Sequence, residues 1–242
     1  EADNIAPLAQ QVSRALPEAH LWLMDDNSPD KTADIADQLF AGNPVYTNYK
    51  AIRRTGIRGL GRAYRDGFQR ALEEGYDCII QMDADLSHDP TVLPALVTAT
   101  DTADLVIGSR YCPQGGVKNW PRHRLLLSKF AVWYVRKIAH IPILDATAGY
   151  RCWTRRALTA VEIETLHSEG YSFQVEMGYR AHKAGMQIAE VPIIFTDRQF
   201  GHSKISRKVL FESFLMPWKL RQSPWKPSSQ QNAPTYLPQK TD

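Results

Sequence analysis

The sequence predicts an α/β protein built on a mostly parallel, Rossmann-like sheet flanked by helices, and three observations predict it. Short apolar runs alternate with longer helix-like segments, the pattern of parallel strands joined by helical crossovers. Each run closes on polar or glycine-rich residues: Asp25-Asp26, Asp83-Ala84-Asp85 and Gly108-Ser109-Arg110. The run from Tyr76 to Met82 also delivers two carboxylates at its C-terminal end, where open sheets of this kind place their sites.

The elements follow in order. Asp3–Leu16 reads as a helix, and His20–Met24 as a short strand ending in Asp25-Asp26. Asn27-Ser28-Pro29-Asp30 carries turn chemistry, and Thr32–Phe40 a second helix. Val45–Asn48 is a candidate strand. Gly59-Leu60-Gly61 opens a long helix to Glu74, with Gly75 as its stop. The carboxylate strand comes next, then Asp89-Pro90 starting a helix to about Thr100, then an apolar strand over Ala103–Ile107. Beyond Arg110 the rhythm changes. Cys112–Trp120 is a loop rich in Pro and Gly, Pro121–Ala139 a basic and aromatic helix, and Asp145–Arg151 a further loop. Tyr171–Ala184 reads as helix, Gln187–Phe195 as strand, Arg198–Lys204 as a basic loop and Ile205–Leu220 as a final helix. A sheet of this class normally begins with a strand, yet this sequence begins with a helix. Either the sheet is built without that strand or the sequence starts after it.

With 242 residues, 43% of them hydrophobic, the chain suits one large domain or two small ones, and is read here as a single domain over 1–222. Residues 223–242, rich in Pro, Ser and Gln, read as a disordered tail. A net charge of +3 is too modest to suggest a nucleic-acid partner. Cys78, Cys112 and Cys152 are odd in number and in no metal spacing, which fits a reducing cytosol. No signal peptide opens the chain. Its longest apolar stretches, Phe130–Ile143 and Val209–Leu220, are too short to cross a bilayer. A membrane encounter would be with the surface.

Side chains alternate faces along a strand, so Asp83 and Asp85 point the same way. Two such oxygen donors suit a divalent cation that in turn holds a diphosphate. Capping of the next helix is the plainer role for an Asp here. Asp25 and Asp26 fit either a nucleotide contact or turn formation. Gly59-Leu60-Gly61 lacks the full dinucleotide fingerprint but can start a helix with amides near a phosphate. Arg110, Arg122, Arg124, Arg198 and Lys204 form a second, cationic set. Scattered cations usually mean a solvated face, but strand-end and glycine-loop positions favour anion binding.

Taken together, Asp25-Asp26-Asn27-Ser28-Pro29-Asp30, Gly59-Leu60-Gly61, Met82-Asp83-Ala84-Asp85, Gly108-Ser109-Arg110-Tyr111, Asn119-Trp120-Pro121-Arg122, Ala148-Gly149-Tyr150-Arg151 and Phe200-Gly201-His202-Ser203-Lys204 resemble the GT-A fold glycosyltransferases of family 2. More narrowly, the chain is similar to the dolichol- and polyprenol-phosphate mannose synthases, and the Asn-Trp-Pro run and the Ser87-His88 pair point to the bacterial polyprenol branch. The resemblance implies a GT-A fold with C-terminal amphipathic interface helices. It implies Mg2+ or Mn2+ at Asp83 and Asp85, and a GDP-mannose donor touched by Glu1, Asp25, Asp26, Asp83, Ala84 and Asp85. It places Arg110, Arg124, Arg198, Ser203 and Lys204 around a polyprenyl phosphate acceptor, with Arg110, Arg124, Arg198 and Lys204 as the catalytic cations. The implied reaction is inverting transfer of mannose to polyprenyl (dolichyl-type) phosphate, performed peripherally on the cytoplasmic face of a membrane. Relatives sometimes work beside a membrane acyltransferase.

The chain departs from the family pattern in places. The family's Pro-x-Tyr-Asn-Glu motif would leave only Glu1 here, its Lys before Gly-Leu-Gly is Ile57 beside Arg58, and Ser87 stands where some relatives carry a metal-binding Gln. No Glu-Asp type base motif is present; Ala148-Gly149-Tyr150-Arg151 occupies that area, as in synthases whose acceptor is a phosphate. A phosphate monoester, with its second pKa near ~6, needs no general base at neutral pH. Asp145 and Glu176 then read as structural. The helix from Pro121 mixes Leu125, Leu126, Leu127, Phe130, Trp133 and Tyr134 with Arg and Lys, as does an interfacial helix. Phe211, Phe214 and Trp218 extend the expectation to the last helix. Three other readings compete. One changes the donor, for instance to UDP-glucose. A haloacid-dehalogenase-like phosphatase would use Asp83-Ala84-Asp85-Leu86-Ser87, with its acidic pair in the wrong order. The third is a non-enzymatic nucleotide-binding module.

Overall fold

The structure is a computed structural model and describes residues 2–166, 168, 170–197 and 207–228, with backbone only at 171 and 207–213. Helix α1 (Ala2–Ala15) buries Ile5, Leu8, Ala9 and Val12, spaced by three or four so that they share one face, and packs on α2 (Thr32–Phe40). Between them runs β1 (Leu21–Asp25), paired in parallel with β2 (Tyr49–Arg53) from Leu21↔Tyr49 to Asp25↔Arg53. Helix α3 (Leu60–Glu73) leads to β3 (Cys78–Gln81), and α4 (Leu93–Ala99) to β4 (Leu105–Ser109). Next come β5 (Gly116–Lys118), α5 (Arg122–Ala139), β6 (Arg151–Thr154) and α6 (Arg155–Ala160). Helix α7 (Tyr171–Lys183), β7 (Ile188–Pro192), β8 (Ile194–Thr196) and α8 (Arg207–Gln222) complete the order.

The central sheet has the order β3-β6-β4-β7. Strand β4 runs parallel to β7, while β6 lies antiparallel between β3 and β4. Two parallel pairs, β1–β2 and β5–β8, stand outside it. Among the described residues no strand joins β1 to β3. Strand β4 is buried along its whole length and divides its side chains by the period of two. Leu105 and Ile107 enter one core with Phe68, Trp153 and Phe173; Val106 enters the other with Ile5, Leu96 and Cys152.

Several expectations need correction. The strand expected at Val45–Asn48 is a 3-10 turn, Pro44–Tyr46, where Asn43 Oδ1 accepts from Val45 N; the strand begins at Tyr49. Arg151 opens a strand, β6, rather than closing a loop. The expected loop Cys112–Trp120 contains β5, and the expected strand Gln187–Phe195 is two strands with different partners. The expected tail keeps contact with the body as far as Ser228, whose N and Oγ donate to Glu162 Oε1 at 2.8 and 2.5 Å. Trp225 packs against the core under the Arg180 guanidinium, 5.2 Å away.

Candidate active site

The end of β3 builds the acidic half of the site. Asp85 is buried, and its Oδ1 accepts from Ser87 N at 3.0 Å and Ser87 Oγ at 2.5 Å, while Leu86 takes the left-handed backbone (φ 61°) that folds the loop back. Ser87 therefore orients Asp85. Asp83 Oδ1 accepts from Tyr64 Oη at 3.2 Å, and the Tyr64 hydroxyl is held well above its usual range by burial first and the Asp83 charge second. The Asp83 backbone N–H donates to His88 Nδ1 at 3.0 Å, which puts the neutral ring's proton on Nε2. Burial pushes the His88 pKa down, against the pull of Asp83 and Asp85.

The loop before β6 closes over these carboxylates. A Cβ on Gly149 would lie 3.7 and 3.9 Å from the Asp83 carboxylate oxygens, at van der Waals contact, so the loop passes directly beside Asp83. Arg151, fully buried, holds the loop in place: Nε donates to Ala148 O, Nη2 to Ala146 O and Nη1 to Gln174 O, each at 2.9 Å. Burial lowers its pKa to about 10, with Asp145 and Glu190 opposing. Gln81 bridges the same region, donating to Gly149 O and Gln174 Oε1 and accepting from Trp153 Nε1.

The cationic half stands across the sheet. Arg110 follows β4 and grips the fully buried Asp145 in a fork, Nε to Oδ2 and Nη2 to Oδ1 at 2.7 Å each, with Nη2 also donating to Thr147 Oγ1. Asp145 N and Leu144 N donate in turn to Glu190. Arg124, in the first turn of α5, pairs with Asp197 at 2.7 Å and lies 4.1 Å over the Trp120 ring. Trp120 Nε1 is buried without a hydrogen-bond partner. An aromatic run ties the halves together: His88 stacks on Tyr150 at 4.8 Å and meets Phe195 edge-on, and Phe195 meets Trp120 edge-on.

Asp25 ends β1 and Asp26 follows it. The Asp25 carboxylate accepts from Ser28 N, shaping the turn. Asp26 pairs with Arg54 and accepts from Gly59 N at 2.8 Å, which fixes the start of α3. Ala84 sits between the two site carboxylates. Glu1, Arg198, Ser203 and Lys204 lie outside the described residues. The structure adds Tyr64, Trp120 and Phe195 to the site; Tyr64 and Phe195 are far away in sequence and give no local signal.

Among the described residues no three His, Cys, Asp or Glu side chains form a metal cage. Two carboxylates suffice where a diphosphate supplies the other oxygens, and hard oxygen donors suit Mg2+ or Mn2+. The residues present fit such an ion.

The glycosyl transferase family 2 profile matches residues 1–159. The chain belongs to that family. This glycosyltransferase is 41% identical to the polyprenol monophosphomannose synthase of Mycolicibacterium smegmatis, over 91% of this chain and 84% of that protein. It is 43% identical to the undecaprenyl-phosphate mannosyltransferase of Micrococcus luteus, over 88% of this chain and 86% of that one. To the dolichol-phosphate mannosyltransferase of Pyrococcus furiosus it is 34% identical, over 90% of this chain and 62% of that one. Its GT-A fold is shared with glucosyl-3-phosphoglycerate synthase of Mycobacterium tuberculosis, solved with Mn2+, UDP and phosphoglyceric acid. The match has a TM-score of 0.61 at 16% identity, covering 95% of this chain and 76% of that one. The same enzyme has also been solved with Mg2+ and UDP.

Proposed function

We propose that this glycosyltransferase moves mannose from GDP-mannose to the phosphate of a polyprenyl phosphate, with inversion, as a peripheral enzyme on the cytoplasmic face of a membrane. The observation that carries the reading is the commitment of the carboxylates around the cationic half, Asp197 to Arg124 among them. Asp145 is forked by Arg110, Glu190 accepts from two backbone amides, and Glu176 pairs with Arg180 at 2.6 Å. A sugar hydroxyl would need one of them as a base; a phosphate monoester, already dianionic above pH ~6, does not. Relatives named for polyprenyl and undecaprenyl phosphate support the same acceptor class.

Asp83 and Asp85 would hold Mg2+ or Mn2+, which supplies positive charge to the departing diphosphate. Tyr64 and Ser87 orient those carboxylates, and the loop at Gly149 passes directly beside Asp83. Asp25 and Asp26 shape the donor side by fixing the two loops that border it, with Glu1 assigned to the same side. Arg110 and Arg124 receive the acceptor phosphate, together with Arg198, Ser203 and Lys204. Arg110 is pre-aimed by Asp145, so little ordering remains to be paid at binding. A phosphate oxygen then attacks the anomeric carbon in line, the bond to GDP breaks, and the configuration inverts.

The exposed apolar residues of α5 and α8, Leu126, Leu127, Phe130, Trp133, Phe214 and Trp218, would rest on the bilayer. No described helix is long and apolar enough to cross one. A membrane acyltransferase-like protein is a fitting neighbour. In the full-length protein, label from GDP-mannose should enter an organic-extractable prenyl phosphate product when Mn2+ or Mg2+ is present. Label from UDP-glucose alone would replace the donor, and phosphate release from simple phosphomonoesters would replace the reaction class.

A further inference from the structure

Two thiols that take no part in sugar transfer, those of Cys78 and Cys152, stand 3.1 Å apart, sulfur to sulfur. Cys78 opens β3, and Cys152 is the second residue of β6, the strand paired antiparallel with it. The register sets Ile80 opposite Cys152 and Cys78 opposite Thr154, so the two cysteines are diagonal neighbours on one face of the sheet. Their surroundings differ. Cys152 is fully buried in the core that also takes Ile5, Leu96 and Val106, whereas Cys78 is exposed. A small oxidant in solution therefore meets Cys78 first, and Cys152 waits behind it. The hydrogen bond between the thiols lowers the Cys78 pKa, with burial opposing, and raises that of Cys152, with burial adding to it. The thiolate, which is the attacking form, thus arises on the exposed member. Cys112 is the internal contrast: it is buried, its Sγ faces the Ser109 carbonyl at 3.7 Å, and burial pushes its pKa up.

We propose that Cys78 and Cys152 form a peroxide-sensitive modification site that closes, reversibly, to a disulfide between β3 and β6. The Cys78 thiolate attacks one oxygen of hydrogen peroxide. The O–O bond breaks, Cys78 becomes a sulfenic acid, and the departing hydroxide takes up the thiol's proton as water. The Cys152 sulfur then attacks the Cys78 sulfur. The S–S bond forms, the S–O bond breaks, and hydroxide leaves with the Cys152 proton as a second water. Together the two thiols give up two electrons and two protons. Bonded sulfurs lie about 2 Å apart, so closure takes up about 1 Å of the present separation. Diagonal neighbours stand further apart than the cysteines of a relaxed disulfide, so closing the bond draws the strands together and leaves it easily reduced. The proposal does not rest on the transfer reaction.

The test exposes the full-length protein to a small excess of hydrogen peroxide near neutral pH, and reads intact mass, free thiols after denaturation and a peptide map. The expected result is a loss of two hydrogens in mass and of two thiols, with one crosslinked peptide pair holding Cys78 and Cys152. Dithiothreitol should return both thiols. Cys112→Ser should lose the same pair, and Cys78→Ser should keep its Cys152 thiol at the dose that closes the parent's bond. Cys152→Ala should stop at a Cys78 sulfenic acid that dimedone traps; the parent's own mass and peptide map decide the matter where this core variant fails to fold. Survival of both thiols in the parent would overturn the proposal. So would oxygen added to Cys78 while the Cys152 thiol stays free, or dimers linked through Cys78.

Discussion

Replacing Asp145 by Asn removes one charge and almost no volume, from a side chain with no exposed surface. The Asp145 carboxylate takes Arg110 N at 3.0 Å and both forks of its guanidinium at 2.7 Å. The Arg110 side chain is only 10% exposed, so water cannot take over as partner. Breaking a buried pair from one side costs about 3–5 kcal/mol, because the remaining charge stays buried and uncompensated. In a chain of this size each kcal/mol moves the melting temperature by about 2–4 °C, so Asp145→Asn should melt roughly 6–20 °C lower. The charge-free pair Arg110→Met/Asp145→Leu should recover most of that loss in calorimetry yet transfer no mannose, since the acceptor's cation has gone. An Asp145→Asn protein melting within about 2 °C of the parent would refute the reasoning. So would a charge-free pair that retained transfer.

Other perturbations separate the parts of the site. Asp85→Ala should keep the fold and lose at least about a hundredfold in transfer, and chelation should have the same effect until Mn2+ or Mg2+ is returned, as read in the label assay. Ser87→Ala removes the 2.5 Å bond that orients Asp85 and should weaken metal-dependent nucleotide binding about tenfold by calorimetry, with less effect on melting. His88 is held neutral, its pKa below the ordinary 6.5 chiefly through burial. Its share of stability is complete above pH 6.5 and is lost as the pH falls from 6.5 toward the lowered value, since the unfolded ring then binds a proton that the folded one refuses. Melting temperature should therefore decline over that acid window, and less steeply in His88→Gln. Trp120→Ala takes the ring from beneath Arg124 and should raise KM for the prenyl phosphate about two- to fivefold with kcat little changed.

The strand ends were legible in the sequence because their chemistry is local. Arg110 stands one residue past β4, where the alternation placed it. Strand β3 ends at Gln81, so Asp83 and Asp85 lie in the loop after the strand and strand alternation does not set their faces. Strand β6 was not legible, because four residues beginning with Arg151 carry no alternation and owe their conformation to partners some seventy residues back (Gln81↔Arg151). A charged residue usually marks a surface, whereas Arg151 is buried against three carbonyl acceptors, two from the loop before β6 and one from α7. Val45–Asn48 misled in the other direction: its β-type residues follow Asn43-Pro44, whose cap turns the chain before Tyr49 starts the strand. Cys78 and Cys152, far apart in sequence, come to 3.1 Å across β3 and β6 for the same long-range reason.

The central claim is that the nucleophile is a phosphate which the chain binds by cations and need not deprotonate. Labelled GDP-mannose should be offered to the full-length protein with a prenyl phosphate and, separately, with the prenol that lacks the phosphate, across a range of pH. The account predicts label in the phosphate acceptor alone, with kcat/KM rising through the acceptor's second ionisation near pH ~6 and flat above it. Transfer to the prenol, or a rate tracking a carboxylate of the protein, would contradict it.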